Sequence, residues 1–306
     1  MNRSEFHHFF GSDAPIILPV IHVLTHDQAA SNIDKLIAAG IHGCFLINHD
    51  FEVATFLPII RTIRTQYPDF WIGVNFLAVS GGDAFPILAE LAEAGCFIDA
   101  YWADDARIDE RVRQQAEADS IAAVRKSSGW TGMYFGGTAF KKQRPVEPAQ
   151  YRDAANQAVG YMDAVTTSGI ATGHSADLEK IKAFRDGVED QTLAIASGIT
   201  PDNVDDYLDL ADAFLVATGI NYSGDFYNLD PYQLRRLLEK VRHYAAGQEK
   251  KEHRASNRRE NADWYLKHMA PNVKDPKMAW LDPSSAYVNA SAFHAMLDDL
   301  CEPYIN

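Results

Sequence analysis

The sequence predicts an α/β protein, a (β/α)8 TIM barrel with a short C-terminal helical extension. Eight short apolar runs alternate with segments of helical spacing as far as about residue 245. The runs lack a polar face, as strands of a parallel sheet covered by helices do. No G-x-G-x-x-G turn follows any of them, which counts against the open, doubly wound alternative.

Ile16 to Val23 forms the first strand, and the amphipathic DQAASNIDKLIAAG after it closes on Gly40, just past a helix end. HGCFLIN (42–48) is the second strand, with a helix from Glu52 to Gln66. WIGVNFLAV (71–79) is the third, and its helix, AFPILAELAEAG, ends at Gly95. CFIDAYW (96–102) is the fourth, followed by the charged DERVRQQAEADSIAAVRKSSG. GMYFGGTAF (132–140) is the fifth, with a helix from Pro148, in a tolerated first-turn position, to Met162. DAVTTSG (163–169) and ADLEKIKAFRDG make the sixth pair, and TLAIASG (192–198) and the proline-opened PDNVDDYLDLA the seventh. DAFLVATG (212–219) is the last strand, closed by DPYQLRRLLEKVRHYAAG.

The barrel is expected to occupy residues 1–246 as one domain, since closed α/β barrels commonly run to about 250 residues. Residues 247–306 follow as an extension. Its first part, QEKKEHRASNRREN (248–261), either links or begins a helix, and SAFHAMLDDL is a later helical pattern. Too short to be a robust domain, the extension is expected to pack on the barrel or on a neighbouring subunit, so a homo-oligomer is one expectation.

A hydrophobic content of 47% with 23% charged residues is that of a globular protein with a large core. The net charge of -14 argues against nucleic acid and anionic membranes as partners, because the overall field repels polyanions. A small anionic metabolite stays compatible, since local N–H groups need no net positive charge. Three scattered cysteines build no disulfide framework, and no signal sequence or apolar span is apparent, so a cytoplasmic protein without membrane insertion is expected.

Chemistry in such barrels sits at the carboxyl ends of the strands. The most distinctive ends are IASGITPDNV (195–204) and VATGINYSGDFYN (216–228). There Ser197, Gly198, Thr218 and Gly219 are expected to hold a phosphate, helped by the N-terminus of a helix after the seventh strand. The plainer alternative is that both glycines only turn the chain. The sixth end adds Thr167, Ser168, Gly169, Thr172 and Gly173, suited to a sugar or phosphate; Ser175 or Asp177 there also suits a helix cap.

For catalysis, Asp99 stands out as a carboxylate in an apolar strand, placed for acid or base work. His22 ends the first strand as a general base or hydrogen-bond donor, or as a satisfied core histidine. Lys141 is placed to stabilise negative charge or to act as a nucleophile, with adjacent Lys142 the competitor and a plain surface lysine the alternative. Asn48 and Asn75 suit orienting a ligand, or bonding across the barrel. No cofactor is expected. A divalent metal stays open, with Asp50 and His22 the least implausible ligands; His42 stands about 20 Å from His49 and Asp50 along its strand.

The run DAVTTSGIATGHSADLEKIKAFRDG and the stretch from LAIASGITPDNV to LRRLLEKVR resemble the BtpA/SgcQ family of predicted TIM-barrel proteins. PVIHV, GIHGCFLINHDF and WIGVNFL match as well, and the likeness covers about residues 15–243. The resemblance implies a barrel of the ribulose-phosphate-binding type. Relatives are associated with photosystem I biogenesis in phototrophs and with sugar-related gene clusters elsewhere, without a defined activity. Matched positions are His22, Asn75, Lys141, Ser168, Gly169, Thr172, Gly173, Asp177, Ser197, Gly198, Asn203, Thr218, Gly224 and Asp225. The chain departs from the family pattern at LTHDQAAS, where a PLPGSP-like loop is usual, at Asn48-His49, where Glu-Asn is frequent, and at Ala78 and Asn221, where basic residues are common. First-half contacts, and so the substrate, are expected to differ.

Two functions follow. One is an enzyme acting on a small phosphorylated metabolite, a sugar phosphate or nucleotide-like compound, by lyase or isomerase chemistry or by ribosyl-phosphate transfer or hydrolysis. The other is a non-catalytic assembly or regulatory factor on a degenerate barrel.

Overall fold

A computed structural model describes residues 1–141, 143–169 and 174–268, with helical backbone alone over most of 251–268. Two compact units divide it, Met1–His243 and Tyr244–Asn306. The first is a closed barrel of eight parallel strands in sequence order.

In chain order the elements are α1 (Arg3–Phe10), β1 (Ile16–Val23), α2 (His26–Ala38), β2 (Gly43–Asn48), α3 (Val53–Gln66), β3 (Trp71–Asn75), α4 (Gly81–Glu93) and β4 (Ala100–Ala103). There follow α5 (Ala116–Ser128), β5 (Met133–Gly137), α6 (Tyr151–Ala158), β6 (Ala164–Thr167), α7 (Leu178–Val188), β7 (Thr192–Ala196), β8 (Ala213–Val216) and α8 (Pro231–His268). Among the described residues no helix is long and apolar enough to cross a membrane.

Alternation along the strands fills the barrel. Leu18 and Val20, Phe45 and Ile47, Ala100 and Trp102, Met133 and Phe135, Ala194 and Ala196, and Ala213 and Leu215 share one buried cluster. Large rings on the β2–β5 side face small residues on the β6–β8 side, so volume is balanced across the axis. Gly73 belongs to this fit, since a Cβ there would stand 2.3 Å from the Phe45 ring.

Three elements differ from the sequence reading. The proline-opened segment after β7 holds only a 3₁₀ turn, Val204–Asp206, in place of an α-helix. Its four aspartates (Asp202, Asp205, Asp206 and Asp209) and its asparagine, Asn203, favour turns over a helix interior. The charged stretch 248–261 continues α8. The N-terminal residues, to which the sequence reading assigns no element, form α1, whose Asn2 and Glu5 make a reciprocal capping box. Phe6 of α1 packs on Phe135 and belongs to the barrel's core cluster.

The amino end of the barrel is tied by a buried carboxylate. Asp212 accepts from Arg3 Nε at 2.6 Å, Arg185 Nη1 at 2.9 Å and the Leu193 N–H at 2.8 Å, and pairs with His7 Nε2 at 3.2 Å. Burial alone would raise its pKa; the His7 hydrogen bond and the Arg185 and Arg3 charges outweigh burial and hold it below the ordinary value.

Candidate functional site

At the carboxyl end of the strands a small cavity of about 40 Å³ lies on the barrel axis. Its polar lining is His22, His49, Asp104, Lys141, Ser197 and Thr218, over a floor that includes Ile47, Trp102 and Leu215. The pleat explains most of this set. Phe45 and Ile47 point inward, so His49 follows them; Ala100 and Trp102 point inward, so Asp104 follows.

His22 is buried, stacks on the Phe226 ring at 3.8 Å and meets the His49 ring edge at 4.9 Å. Its Nδ1 lies 3.0 Å from the Phe226 carbonyl. A carbonyl oxygen only accepts, so Nδ1 carries the proton and Nε2 keeps a lone pair. Burial, with the nearby His49 and Lys141, lowers the His22 pKa to about 3. His22 is therefore neutral, donating through Nδ1 to the loop and presenting Nε2 as a hydrogen-bond acceptor.

The loop after β8 covers His22 because α2 holds it down. Gln28 and Asn32 donate to the Tyr227 carbonyl at 2.6 and 2.8 Å, and Lys35 donates to the Leu229 carbonyl at 2.9 Å. Asp225 shapes the turn by accepting from the Tyr227 and Asn228 N–H groups.

Asn75 is wholly buried and donates to Asp104 Oδ1 at 3.1 Å, while its own Oδ1 has no partner. The indole N–H of Trp102 is likewise buried without a partner. Trp102 lines the cavity, and a buried donor left without a partner is costly unless something else satisfies it. Backbone strain gathers at the same end: Ala78, Arg107, Ala139 and Ser197, in the loops after β3, β4, β5 and β7, all have positive φ.

Other expected site residues lie elsewhere. Asp99 precedes β4 and sits at the amino end of the barrel, where Arg64 donates to its carboxylate and the Ile72 N–H bonds Oδ2 at 2.8 Å. Its charge is paid for by structure, far from the rim. Asn48 and Thr167 belong to the outward register of β2 and β6. Asn48 bridges two loops, donating to the Phe51 carbonyl at 2.7 Å and accepting from the Leu77 N–H at 3.1 Å. Ser168 Oγ is occupied by backbone, donating to the Gly169 carbonyl and accepting from the Lys141 N–H, both at 2.8 Å. Thr172 and Gly173, and the competing Lys142, lie outside the described residues.

The glycines serve loop packing. A Cβ on Gly198 would stand 2.1 Å from the His174 carbonyl oxygen, one on Gly219 would stand 2.0 Å from that of Ile199, and one on Gly169 would stand 2.3 Å from that of His174. What approaches these positions is neighbouring backbone, where the sequence suggests a ligand. No helix dipole stands behind the β7 loop either.

Lys180 was missed. It is buried in the first turn of α7 and donates to the Ala139 carbonyl at 2.6 Å and the Ser168 carbonyl at 2.7 Å. Burial lowers its pKa to about 8. Its neighbours in LEKIK make it read as an ordinary helix lysine, and only the fold places it beneath two loops. As for metals, no group of three or more His, Cys, Asp or Glu among the described residues is placed to hold an ion. Asp50 instead accepts from the Tyr227 hydroxyl at 3.1 Å.

A model of the BtpA family matches residues 27–243. The chain belongs to the BtpA family. This BtpA-family chain is also 30% identical over 82 residues to the putative sgc region protein SgcQ of Escherichia coli (strain K12). That match covers 26% of this chain and 31% of SgcQ, so it spans about a third of the relative. Among solved structures, the tryptophan synthase α subunit of Legionella pneumophila str. Paris aligns over 79% of this chain and 99% of its own, with TM-score 0.53 and 14% identity. A protein of Aquifex aeolicus VF5 aligns over the same shares with TM-score 0.55 and 13% identity. At such identity the likeness establishes the TIM barrel that BtpA-family members share with these proteins, and nothing of their chemistry.

Proposed function

We propose that this protein is an enzyme acting on a small phosphorylated metabolite, with the reacting end held in the axial cavity. The observation that carries this reading is the convergence of Asp104, Lys141 and His22 on one cavity whose floor residue Trp102 has an orphaned indole N–H. A scaffold has no use for that arrangement, and an active site does.

The groups divide by chemistry. Asp104, oriented by Asn75, moves a proton to or from carbon or oxygen. Lys141 stabilises negative charge developing on an adjacent oxygen. The His22 Nε2 accepts from a substrate hydroxyl, and the Trp102 N–H donates to a carbonyl or hydroxyl. This favours lyase or isomerase chemistry through an enolate-like species over ribosyl transfer.

A thermal-shift screen of sugar phosphates and nucleotides tests binding, because a ligand that binds only the folded state raises Tm. For a compound that binds, proton NMR in D2O then follows exchange of hydrogen next to its carbonyl. Exchange is expected with wild type and absent with Asp104→Asn, which still binds. If no phosphorylated compound shifts the wild type, the proposal fails.

A further inference from the structure

The axial cavity, of about 40 Å³, is a narrow one. A second cavity, of about 190 Å³, opens between the loops after β5 and β6 and shares Lys141 with the first. We propose that this side cavity is the anion subsite, in which Lys141 and Lys180 take the phosphate monoester of the ligand whose reacting end occupies the axis. The inference rests on the functional reading above.

Three observations support the placement. Of the described residues lining the side cavity, Lys141, Arg144 and Lys180 are basic and none is acidic, in a chain whose net charge is -14. Arg144 is engaged with Glu110 at 2.6 Å. Lys180 is only 8% exposed and stands in the first turn of α7, where burial and the helix dipole both oppose a cation. Its bonds to the Ala139 and Ser168 carbonyls use two of the three ammonium donors, and its place in the cavity lining suits the third to an incoming oxyanion.

The loops after β7 and β8, the habitual phosphate position in such barrels, are less suited here. Gly198 and Gly219 are already in contact with the carbonyl oxygens of neighbouring loops, which repel an anion.

Inorganic phosphate is the probe, and its binding is followed by calorimetry on wild type, Lys180→Met, Val146→Trp, Ser197→Ala and Thr218→Val. Val146 lines the side cavity from a partly exposed loop, so a tryptophan there fills the space without disturbing the buried lysine. Expected is at least a tenfold loss of affinity in Lys180→Met and Val146→Trp, with Ser197→Ala and Thr218→Val within twofold of wild type. If Lys180→Met does not fold, Val146→Trp decides alone. Loss in Ser197→Ala or Thr218→Val with the side-cavity variants unaffected overturns the subsite and leaves the functional reading standing. Absence of phosphate binding by wild type also overturns it, whereas the functional reading is decided separately by the sugar-phosphate screen.

Discussion

The Nδ1 of His22 lies 3.0 Å from the Phe226 carbonyl oxygen, and the two rings stack at 3.8 Å. One bond thus sets the tautomer of a cavity residue and pins the loop that covers it. With its pKa lowered to about 3, mainly by burial, His22 stays neutral across the physiological range. Proton NMR is expected to show an imidazole that does not titrate between about pH 5 and 8. The stability consequence has a definite sign. Below the unfolded value of about 6.5 the unfolded chain binds a proton that the folded chain refuses, so stability falls as pH drops from there toward 3. Chemical denaturation of His22→Gln at pH 7 and pH 5 is expected to show a smaller acid loss than wild type.

Asp212 is a stability determinant at the amino end, buried and paired with two arginines. Replacing it with Asn leaves Arg185 and Arg3 without their counter-charge, and a loss of about 3–5 kcal/mol is expected in urea unfolding. Because its folded pKa is depressed, its contribution is present above the unfolded carboxylate value of about 3.9 and is lost as pH falls below it.

Glycine substitutions separate backbone conformation from crowding. Gly224 has φ +77° with open space around it, so Gly224→Ala is expected to cost only about 1 kcal/mol. Gly198→Ala and Gly219→Ala each drive a methyl into a carbonyl and are expected to lower Tm by several degrees more than Gly224→Ala. Equal effects at all three positions would contradict the packing described for the β6, β7 and β8 loops.

Asp99→Ala provides a control for position. It removes the Arg64 partner at the far end of the barrel and is expected to reduce stability while leaving ligand affinity at the rim within about twofold. A selective loss of affinity or turnover at unchanged stability would return Asp99 to the functional site.

The period of the chain made all eight strands and their order legible, because parallel strands buried on both faces leave little ambiguity. The facing of individual residues was less legible. FIDAYW reads as one strand, yet β4 begins at Ala100, and the pleat puts Trp102 and Asp104 on the inner face while Asp99 stays at the base. His49 and Asp104 already stand among the strand-end candidates of the sequence, and tracking parity from the inward-facing Ile47 and Trp102, two positions earlier, separates them from Asn48 and Asp99. Lys180 had no such signal, since its burial comes from two loops that fold over α7. The glycines suggest backbone close to a ligand, but composition does not say what approaches, and the neighbour here is other backbone.

The docking of α1 bears on the order in which the molecule assembles. Arg3 bonds a carboxylate 209 residues away, and the Met1 carbonyl accepts from the Thr192 hydroxyl at 3.0 Å, across 191 residues. None of those partners exists as a surface until the seventh and eighth strands have joined the first. Docking of α1 on these partners is therefore expected to be a late event in folding, because both bonds close loops that span most of the unit Met1–His243. A mutation in α1 is expected to accelerate unfolding more than it slows folding, which makes this small helix a latch on the finished ring.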